Sequence, residues 1–328
     1  MQTTRRPTHA GSWYSSNGNT LNSELTHWLA AVKPTAEDDF VPPISGCKAI
    51  IAPHAGYSYS GPAAAWAYKS IDTTGIKRVF ILGPSHHVYL DGCALSTCNS
   101  YRTPIENLPL DVEVIEELRS TGKFDEMDIQ TDEDEHSIEM HLPYVRKIFE
   151  GADITIVPIL VGAISQEKEI EYGRLLAPYL AQQDTIFVIS SDFCHWGTRF
   201  SYTYYYPEPL PSDIAGIRLT SSSPSLSNLS NRPIHASISD LDHEAMQLLT
   251  IPPSSASKAH DDFAAYLKRT KNTICGRHPI GVLLGTLATL EQNEACHPMI
   301  KWVRYEQSSQ CFNIRDSSVS YASAFVSF

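Results

Sequence analysis

The sequence predicts an α/β fold in which helices cover both faces of a central, mostly parallel sheet. Two runs, residues 79–82, which are all apolar, and residues 47–52, which are apolar except for Lys48, are typical of strands that are buried on both faces. A helix rich in small residues, predicted over 63–70, lies between them and completes a β-α-β unit. A proline and then a histidine follow each strand, with His54 after the first and His86 after the second. Because open α/β folds bind ligands at the carboxyl edge of the sheet, the site is predicted there.

The two strand ends are predicted to bring imidazoles together. Neighbouring parallel strands lie about 4.8 Å apart, so we expect His54 and His86 to come within reach of one metal ion. Gly83-Pro84 is expected to stop the second strand, because proline lacks the backbone donor that a sheet requires. A hydrogen-bonded surface loop is the alternative interpretation of the His86-His87 pair.

The rest of the chain alternates predicted helices and strands without repeats or a convincing linker. We therefore expect one domain over 1–328, with a surface insertion rich in Tyr, Pro and Ser at about 202–235. Two late strands are expected to add antiparallel edges. The predicted helices are 21–32, 111–120, 137–150, 167–180, 241–249, 261–271 and 280–290, and the further strands are 154–161, 185–191, 299–305 and 319–326.

The composition excludes several classes of function. A net charge of -12 disfavours nucleic acid or an anionic membrane as the partner. No apolar run is long enough to span a bilayer, and no signal peptide is predicted. Seven cysteines without a CxxC pair indicate free thiols in a reducing compartment, and we expect a cytoplasmic protein. Dinucleotide, P-loop, hydrolase-elbow and zincin motifs are absent from the sequence.

Nitrogen and sulfur donors accompany several predicted turns. The strand predicted over 185–191 leads into Asp192 and His195, and Cys275 lies beside Gly276 in the segment that leads into the helix predicted over 280–290. Imidazole suits iron, copper and zinc, and a thiolate shifts the preference towards softer metals. The helix N-terminus is expected to lower the pKa of the Cys275 thiol. A small buried hydrophobic residue is the alternative for Cys275.

Four acidic or imidazole side chains are candidates for roles beside the metal. Asp192 is expected to orient His195, which would act as a general acid-base or as a further ligand; a helix or loop cap is the alternative for Asp192. His136 and Glu139 share one face only if a helix has begun before them. They are interpreted either as structural or as lining the mouth of the site.

Three further side chains are expected to meet a substrate or peptide. Trp13 and Tyr59 flank the loops that carry histidine and would form a pocket wall for a planar or phenolic group. Simple packing is the alternative for both aromatic residues. His87 is expected on the same side as these rings.

A set of motifs along nearly the whole chain resembles the Memo family, whose name abbreviates mediator of receptor-tyrosine-kinase-driven cell motility. The segment 207–231 is longer than we expect for animal members. The motifs are HAGSWY at 9–14, IIAPHAGYSYSG at 50–61, FILGPSHHV at 80–88, TDEDEHSIEMHLPY at 131–144, SSDFCHWG at 190–197, NTICGRHPIGVLL at 272–284 and SSQC with DSSVSYA near the end.

The resemblance implies a fold like that of class III extradiol dioxygenases with a vestigial or repurposed metal site. By motif, His54, His86 and Cys275 match the metal-binding positions of the family, and His195 and Asp192 line the same pocket. The dioxygenases hold non-haem Fe(II) with two His and a carboxylate. Because Cys275 stands where that carboxylate is expected, ring cleavage is not implied.

Two functions follow from the resemblance. The first is a metal-dependent redox protein in cell motility and invasive-growth signalling, with Fe(II) as the first choice of metal, Cu second and Zn third. The second is a non-catalytic adaptor that binds phosphotyrosine-type peptides, for which Trp13 and Tyr59 match the implicated positions. Signalling or cytoskeletal proteins are the expected partners, in the cytoplasm and also in the nucleus.

Overall fold

A nine-stranded mixed sheet forms the centre of the molecule in this computed structural model, which describes residues 3–220 and 232–328. Its strand order is β10-β14-β2-β9-β3-β8-β4-β7, and β13 pairs with β14. The strands are β1 Thr4–Arg5, β2 Cys47–Ala52, β3 Arg78–Pro84, β4 Cys93–Ser96, β5 Ser100–Tyr101, β6 Leu108–Pro109, β7 Phe124–Met127, β8 Thr155–Val161, β9 Thr185–Ser190, β10 His195–Trp196, β11 Tyr204–Tyr205, β12 Ile217–Arg218, β13 Met299–Gln307 and β14 Ser318–Ser327.

Two groups of helices pack on this sheet, which confirms the predicted α/β class. One group, α1, α2 and α6, packs together beside β2 and β14, and the other, α7, α9 and α10, packs beside β3 and β9. The helices are α1 Gly18–Ala31, α2 Tyr57–Lys69, α3 Val112–Ser120, α4 Ile129–Asp134, α5 His136–Glu139, α6 Leu142–Ile148, α7 Gln166–Leu180, α8 Ile234–Leu249, α9 Ala256–Thr270 and α10 Arg277–Gln292.

The central strands are parallel and buried on both faces. β2 pairs with β9, β9 with β3, and β3 with β8, all in parallel register. Every residue of β2 and β9 is buried, as expected for strands in which most residues are apolar. Both late strands pair antiparallel, as predicted, but the long strand β14 lies inside the sheet, between β13 and β2, and does not form an edge.

Strand β3 runs through the predicted stop and ends at Pro84. Gly83 is required there for a close approach, because a Cβ at this position would lie 2.5 Å from Ser137 Oγ and 2.7 Å from Ile138 Cγ1. Helix α5 therefore packs directly against the end of β3. The glycine serves this contact and does not bend the chain.

The predicted helix over 137–150 is divided into two, and the acidic run before it is itself helical. Glu135 is extended between α4 and α5, with φ -84° and ψ 125°, and its side chain accepts a hydrogen bond from Ser137 N. Pro143 then lies in the first turn of α6, where proline favours a new helix start. The break between α4 and α5 places Glu135 and His136 at the end of the sheet.

The segment predicted as a surface insertion is partly buried where it is described. Strands β11 and β12 form a hairpin, and Tyr202, Tyr205 and Tyr206 are buried beside it. The Tyr206 hydroxyl donates to Glu244 on α8, so this segment is held against that helix. Residues 221–231 of the predicted insertion lie outside the described residues.

Within residues 3–220 and 232–328, no helix combines the length and the apolar character that crossing a bilayer requires.

Candidate metal centre

Three loops at the carboxyl edge of the sheet carry the candidate site. His54 follows β2, His86 follows β3 and Asp192 follows β9. The assumption that β2 and β3 are neighbours is wrong, because β9 lies between them. The two imidazoles nevertheless meet above the end of β9, with ring centroids 5.2 Å apart.

A third imidazole joins them from the break between α4 and α5. One ring nitrogen each of His54, His86 and His136 lie within 4.8 Å of one another, which is close enough to hold a metal ion. The His136 ring is 4.3 Å from the His86 ring and nearly parallel to it, at 21°. Burial, and then the neighbouring His86, lower the pKa of His136 to about 3, so its imidazole is neutral at physiological pH.

The His54 ring is held in place by a hydrogen bond to a buried hydroxyl group. The Ser190 hydroxyl donates to Ser137 O at 2.7 Å and therefore accepts from His54 Nδ1 at 2.6 Å. This assigns the proton to Nδ1 and leaves the lone pair on Nε2, as a metal ligand requires. Burial, and then the surrounding histidines, lower the pKa of His54 well below its ordinary value, so the ring is neutral.

His86 is oriented by Glu135, a residue that the sequence did not single out. His86 donates to this carboxylate twice, from its backbone N at 2.7 Å and from Nδ1 at 2.8 Å. Burial alone would raise the pKa of Glu135, but the His86 contacts lower it to about 2. A carboxylate that accepts from one ring nitrogen leaves the other nitrogen as the donor to a metal.

Cys275 lies behind His54 and outside the three-imidazole set. Its Sγ is 3.2 Å from His54 Nε2 and accepts from Asp192 N at 3.3 Å. The expected lowering of its pKa is wrong, because burial, and then the charge of Asp192, raise the pKa of the thiol well above its ordinary value. The thiol thus keeps its proton unless a bound cation displaces it.

Asp192 and His195 are close in sequence but have different hydrogen-bond partners. Asp192 Oδ1 accepts from His54 N at 2.8 Å. His195 Nδ1 lies 2.9 Å from Phe193 O and 3.1 Å from Thr273 O, both of which are acceptors. These carbonyls assign the proton to Nδ1 and leave the lone pair on Nε2, so backbone carbonyls, and not Asp192, hold the ring. Burial raises the pKa of Asp192, against the opposing effect of His195.

A cleft of about 690 Å³ opens above these side chains. Trp13 packs on the His136 ring at 4.4 Å, and Tyr59 is 60% exposed at the rim. Arg199, which the sequence did not single out, also lines the cleft. Six serines line the same wall: Ser12, Ser58, Ser308, Ser309, Ser317 and Ser318.

Two of the expected substrate contacts lie elsewhere. The His87 ring is 6.0 Å from the His136 ring and is exposed, but it is not among the residues that line the cleft. Glu139 is fully buried, and its carboxylate accepts from Arg5 Nη1 at 2.7 Å and from the Tyr14 hydroxyl at 2.7 Å. Its role is to hold the N-terminal segment, and it does not line the mouth of the site.

The donor set fits a transition metal. Neutral imidazoles with hydrogen-bonded Nδ1 atoms are the usual form of histidine ligands, and a thiol lies beside them. Among the described residues, the candidate ligands are nitrogen and sulfur donors, with Asp192 held against the backbone of His54. Hard oxygen-preferring cations such as Mg²⁺ and Ca²⁺ are poorly served by this set.

The molecule is thus a mixed α/β protein with a histidine-lined candidate metal site at the carboxyl edge of its sheet. Residues 5–325 match the family model described as Memo-like protein, and the chain belongs to this family. It is 46% identical to Protein MEMO1 of Homo sapiens over 321 aligned residues, and the alignment covers 97% of this chain and 95% of the relative. Protein MEMO1 of Xenopus laevis is 47% identical over the same shares.

A more distant relative and a solved structure are also similar. Protein memo-1 homolog of Caenorhabditis elegans is 41% identical over 98% of this chain and 81% of its own length. A crystal structure of an uncharacterized protein from Escherichia coli K12 is 14% identical, with a TM-score of 0.45 over 84% of this chain and 99% of that one.

Proposed function

We propose that the chain is a metal-binding redox protein that acts in cell-motility and invasive-growth signalling. The observation that carries the metal proposal is the convergence of the His54, His86 and His136 ring nitrogens within 4.8 Å. His54 and His86 are the first two ligands, and Cys275 is proposed as the third. His136, whose ring nitrogen lies within 4.8 Å of those of His54 and His86, is the alternative third donor.

Fe(II) is our first choice of metal, Cu the second and Zn the third. Imidazole nitrogen serves all three ions, and a thiolate favours the softer ones. Fe(II) comes first because the resemblance to dioxygenase-type proteins, on which the proposal builds, implies that metal. When bound, iron or copper would supply one-electron chemistry with O₂, which zinc cannot supply.

The residues of the cleft have separate tasks in this proposal. His195 directs the lone pair of Nε2 away from its carbonyl partners and would accept or return a proton in the cleft. Asp192 holds the backbone of His54 and so keeps that ring in place. Trp13 shields the His136 side of the site from water.

The test is element analysis of the protein purified without added metal or chelator. We expect about one equivalent of iron or copper per chain, and oxygen consumption with ascorbate that stops when a chelator removes the metal. Removal of the metal should also lower the melting temperature, because the ion binds only the folded chain. A chain that carries no metal and takes up none when iron, copper or zinc is supplied would contradict the proposal.

A non-catalytic adaptor that binds phosphotyrosine-type peptides is the second candidate. Arg199 favours it, because this guanidinium lines the cleft and stacks over Phe200 at 4.6 Å. No ion pair with Arg199 occurs among the residues of 3–220 and 232–328, so it is available for a phosphate. Trp13 and Tyr59 would pack against the tyrosine ring.

Peptide titration tests the adaptor function. We expect a phosphotyrosine peptide to bind at least about 10-fold more tightly than its unphosphorylated form, since one charge-assisted pair contributes about 1.5–3 kcal/mol. Arg199→Ala should remove this difference in affinity, and Trp13→Ala should weaken the binding of both peptides. Equal affinity of the wild-type protein for the two peptides would exclude the adaptor function. Signalling or cytoskeletal proteins with such a motif are the proposed partners.

A further inference from the structure

A second cavity, distinct from the metal cleft, lies between α7, α9 and the start of α10. Its volume is about 490 Å³, within the range of small-molecule sites. Apolar side chains form one part of the wall and basic side chains another. The wall includes Ile164, Glu169, His260, Phe263, Leu267, Lys268, Lys271, Arg277 and His278.

The basic part of this wall has no counter-ion of its own. Lys268 and Lys271 are exposed and Arg277 is half-buried. Among residues 3–220 and 232–328, none of these three side chains forms an ion pair or a hydrogen bond. Three unpaired cations around one cavity are unusual in a chain with a net charge of -12.

The one acidic side chain in the wall is already satisfied. Glu169 is buried, and its two oxygens accept from His260 Nε2 at 2.6 Å and from His278 Nδ1 at 2.7 Å. The carboxylate therefore holds two imidazoles against the cavity and does not neutralise the lysines. The three cations therefore give this part of the cavity a positive surface.

The start of α10 adds to this field. The helix has 16 residues and begins at Arg277, and its N-cap residue Gly276 offers no side-chain hydrogen bond. The positive end of a helix dipole favours an anion at this point. Opposite the charges, Ile164, Phe263 and Leu267 provide an apolar surface.

We propose that this cavity binds a small organic phosphate, with the phosphate between Lys268, Lys271 and Arg277 and an apolar group against Phe263 and Leu267. A phosphate monoester suits the cavity better than a carboxylate does, because its second charge and three oxygens engage three separate cations. The apolar wall selects a ligand with a hydrocarbon portion over inorganic phosphate.

Titration with n-hexyl phosphate at constant ionic strength tests this site, with inorganic phosphate and hexanol as comparison probes. We expect hexyl phosphate to bind more tightly than either and to shift the imidazole resonances of His260 and His278. The double variant Lys268→Ala/Lys271→Ala should weaken binding at least about 10-fold, because two of the three cations that engage the phosphate are lost. Both lysines are exposed, so the fold is preserved.

Two variants serve as controls. Lys33→Ala removes an exposed lysine outside the cavity and should leave the affinity unchanged. Arg199→Ala removes the cation of the metal cleft and should also leave it unchanged. Unaltered affinity in the double lysine variant, or loss of binding in Arg199→Ala, would overturn the proposal, as would the absence of shifts at His260 and His278.

Discussion

Replacing Arg5 with methionine is expected to lower the free energy of unfolding by about 3–5 kcal/mol, the usual effect of breaking a buried ion pair. Arg5 is fully buried and donates from Nε to Asp132 Oδ1 at 3.0 Å and from Nη1 to Glu139 Oε2 at 2.7 Å. A further bond runs from Nη2 to Glu135 O at 2.9 Å. Methionine has similar bulk, so the variant tests the charge and its hydrogen bonds.

Loss of this guanidinium leaves two carboxyls buried without their partner. Burial lowers the pKa of Arg5, but Glu139 and Asp132 more than offset it and hold the pKa above its ordinary value. Asp132 shows the reverse, since burial raises its pKa despite Arg5. In the variant both carboxyls must take up protons or remain as unpaired charges, and either outcome favours unfolding.

Arg304→Met is the matched control. The Arg304 side chain is 43% exposed and pairs at 2.6 Å with Glu306, which is 27% exposed, and exposed pairs contribute about 0–1 kcal/mol. Urea unfolding of both variants, followed by circular dichroism, measures the difference. Equal losses in the two variants would contradict the assigned role of Arg5, whereas an Arg5→Met chain that does not fold at all would agree with it.

The predicted fold followed from local patterns, and its errors came from long-range pairing. The run 47–52 predicts β2 residue for residue, because burial on both faces leaves Lys48 as its single charged residue. The insertion of β9 between β2 and β3 has no local signal, since parallel strands can pair in any order that their crossovers allow. The inferred closeness of His54 and His86 survived because both loops turn over the end of β9.

Of the candidate site, only the donor residues could be predicted from the sequence. His54 and His86 follow strands and are visible from the sequence, whereas Glu135 stands in an acidic run that a helix N-terminus explains equally well. Its role depends on the extended backbone between α4 and α5, which brings the carboxylate to His86. Pro143, eight residues later, signals only the division between α5 and α6 and not the break at Glu135.

Cys275→Ser is expected to weaken metal binding more than about 100-fold, beyond the 10–100-fold that is usual for a residue that only supports a ligand. Its Sγ lies 3.2 Å from His54 Nε2, and two donors on one tetrahedral ion at about 2.1 and 2.3 Å stand about 3.6 Å apart. A small movement therefore suffices for both to bind one ion. Cys296→Ser, also at a half-buried cysteine, is the control and should leave the affinity unchanged.

The His136→Ala variant distinguishes the ligand set His54, His86 and Cys275 from the alternative set His54, His86 and His136. The His136 ring is stacked between Trp13 and His86, at 4.4 and 4.3 Å, so its removal should loosen the site and weaken metal binding by about 10-fold or less. Competition with a chromophoric chelator measures each affinity, and the Co(II)-loaded protein reports a thiolate ligand through its charge-transfer absorption. This absorption should persist in His136→Ala and disappear in Cys275→Ser. If His136→Ala has the larger effect and Co(II) shows no thiolate absorption, the metal is held by the three imidazoles, and Cys275 only positions His54.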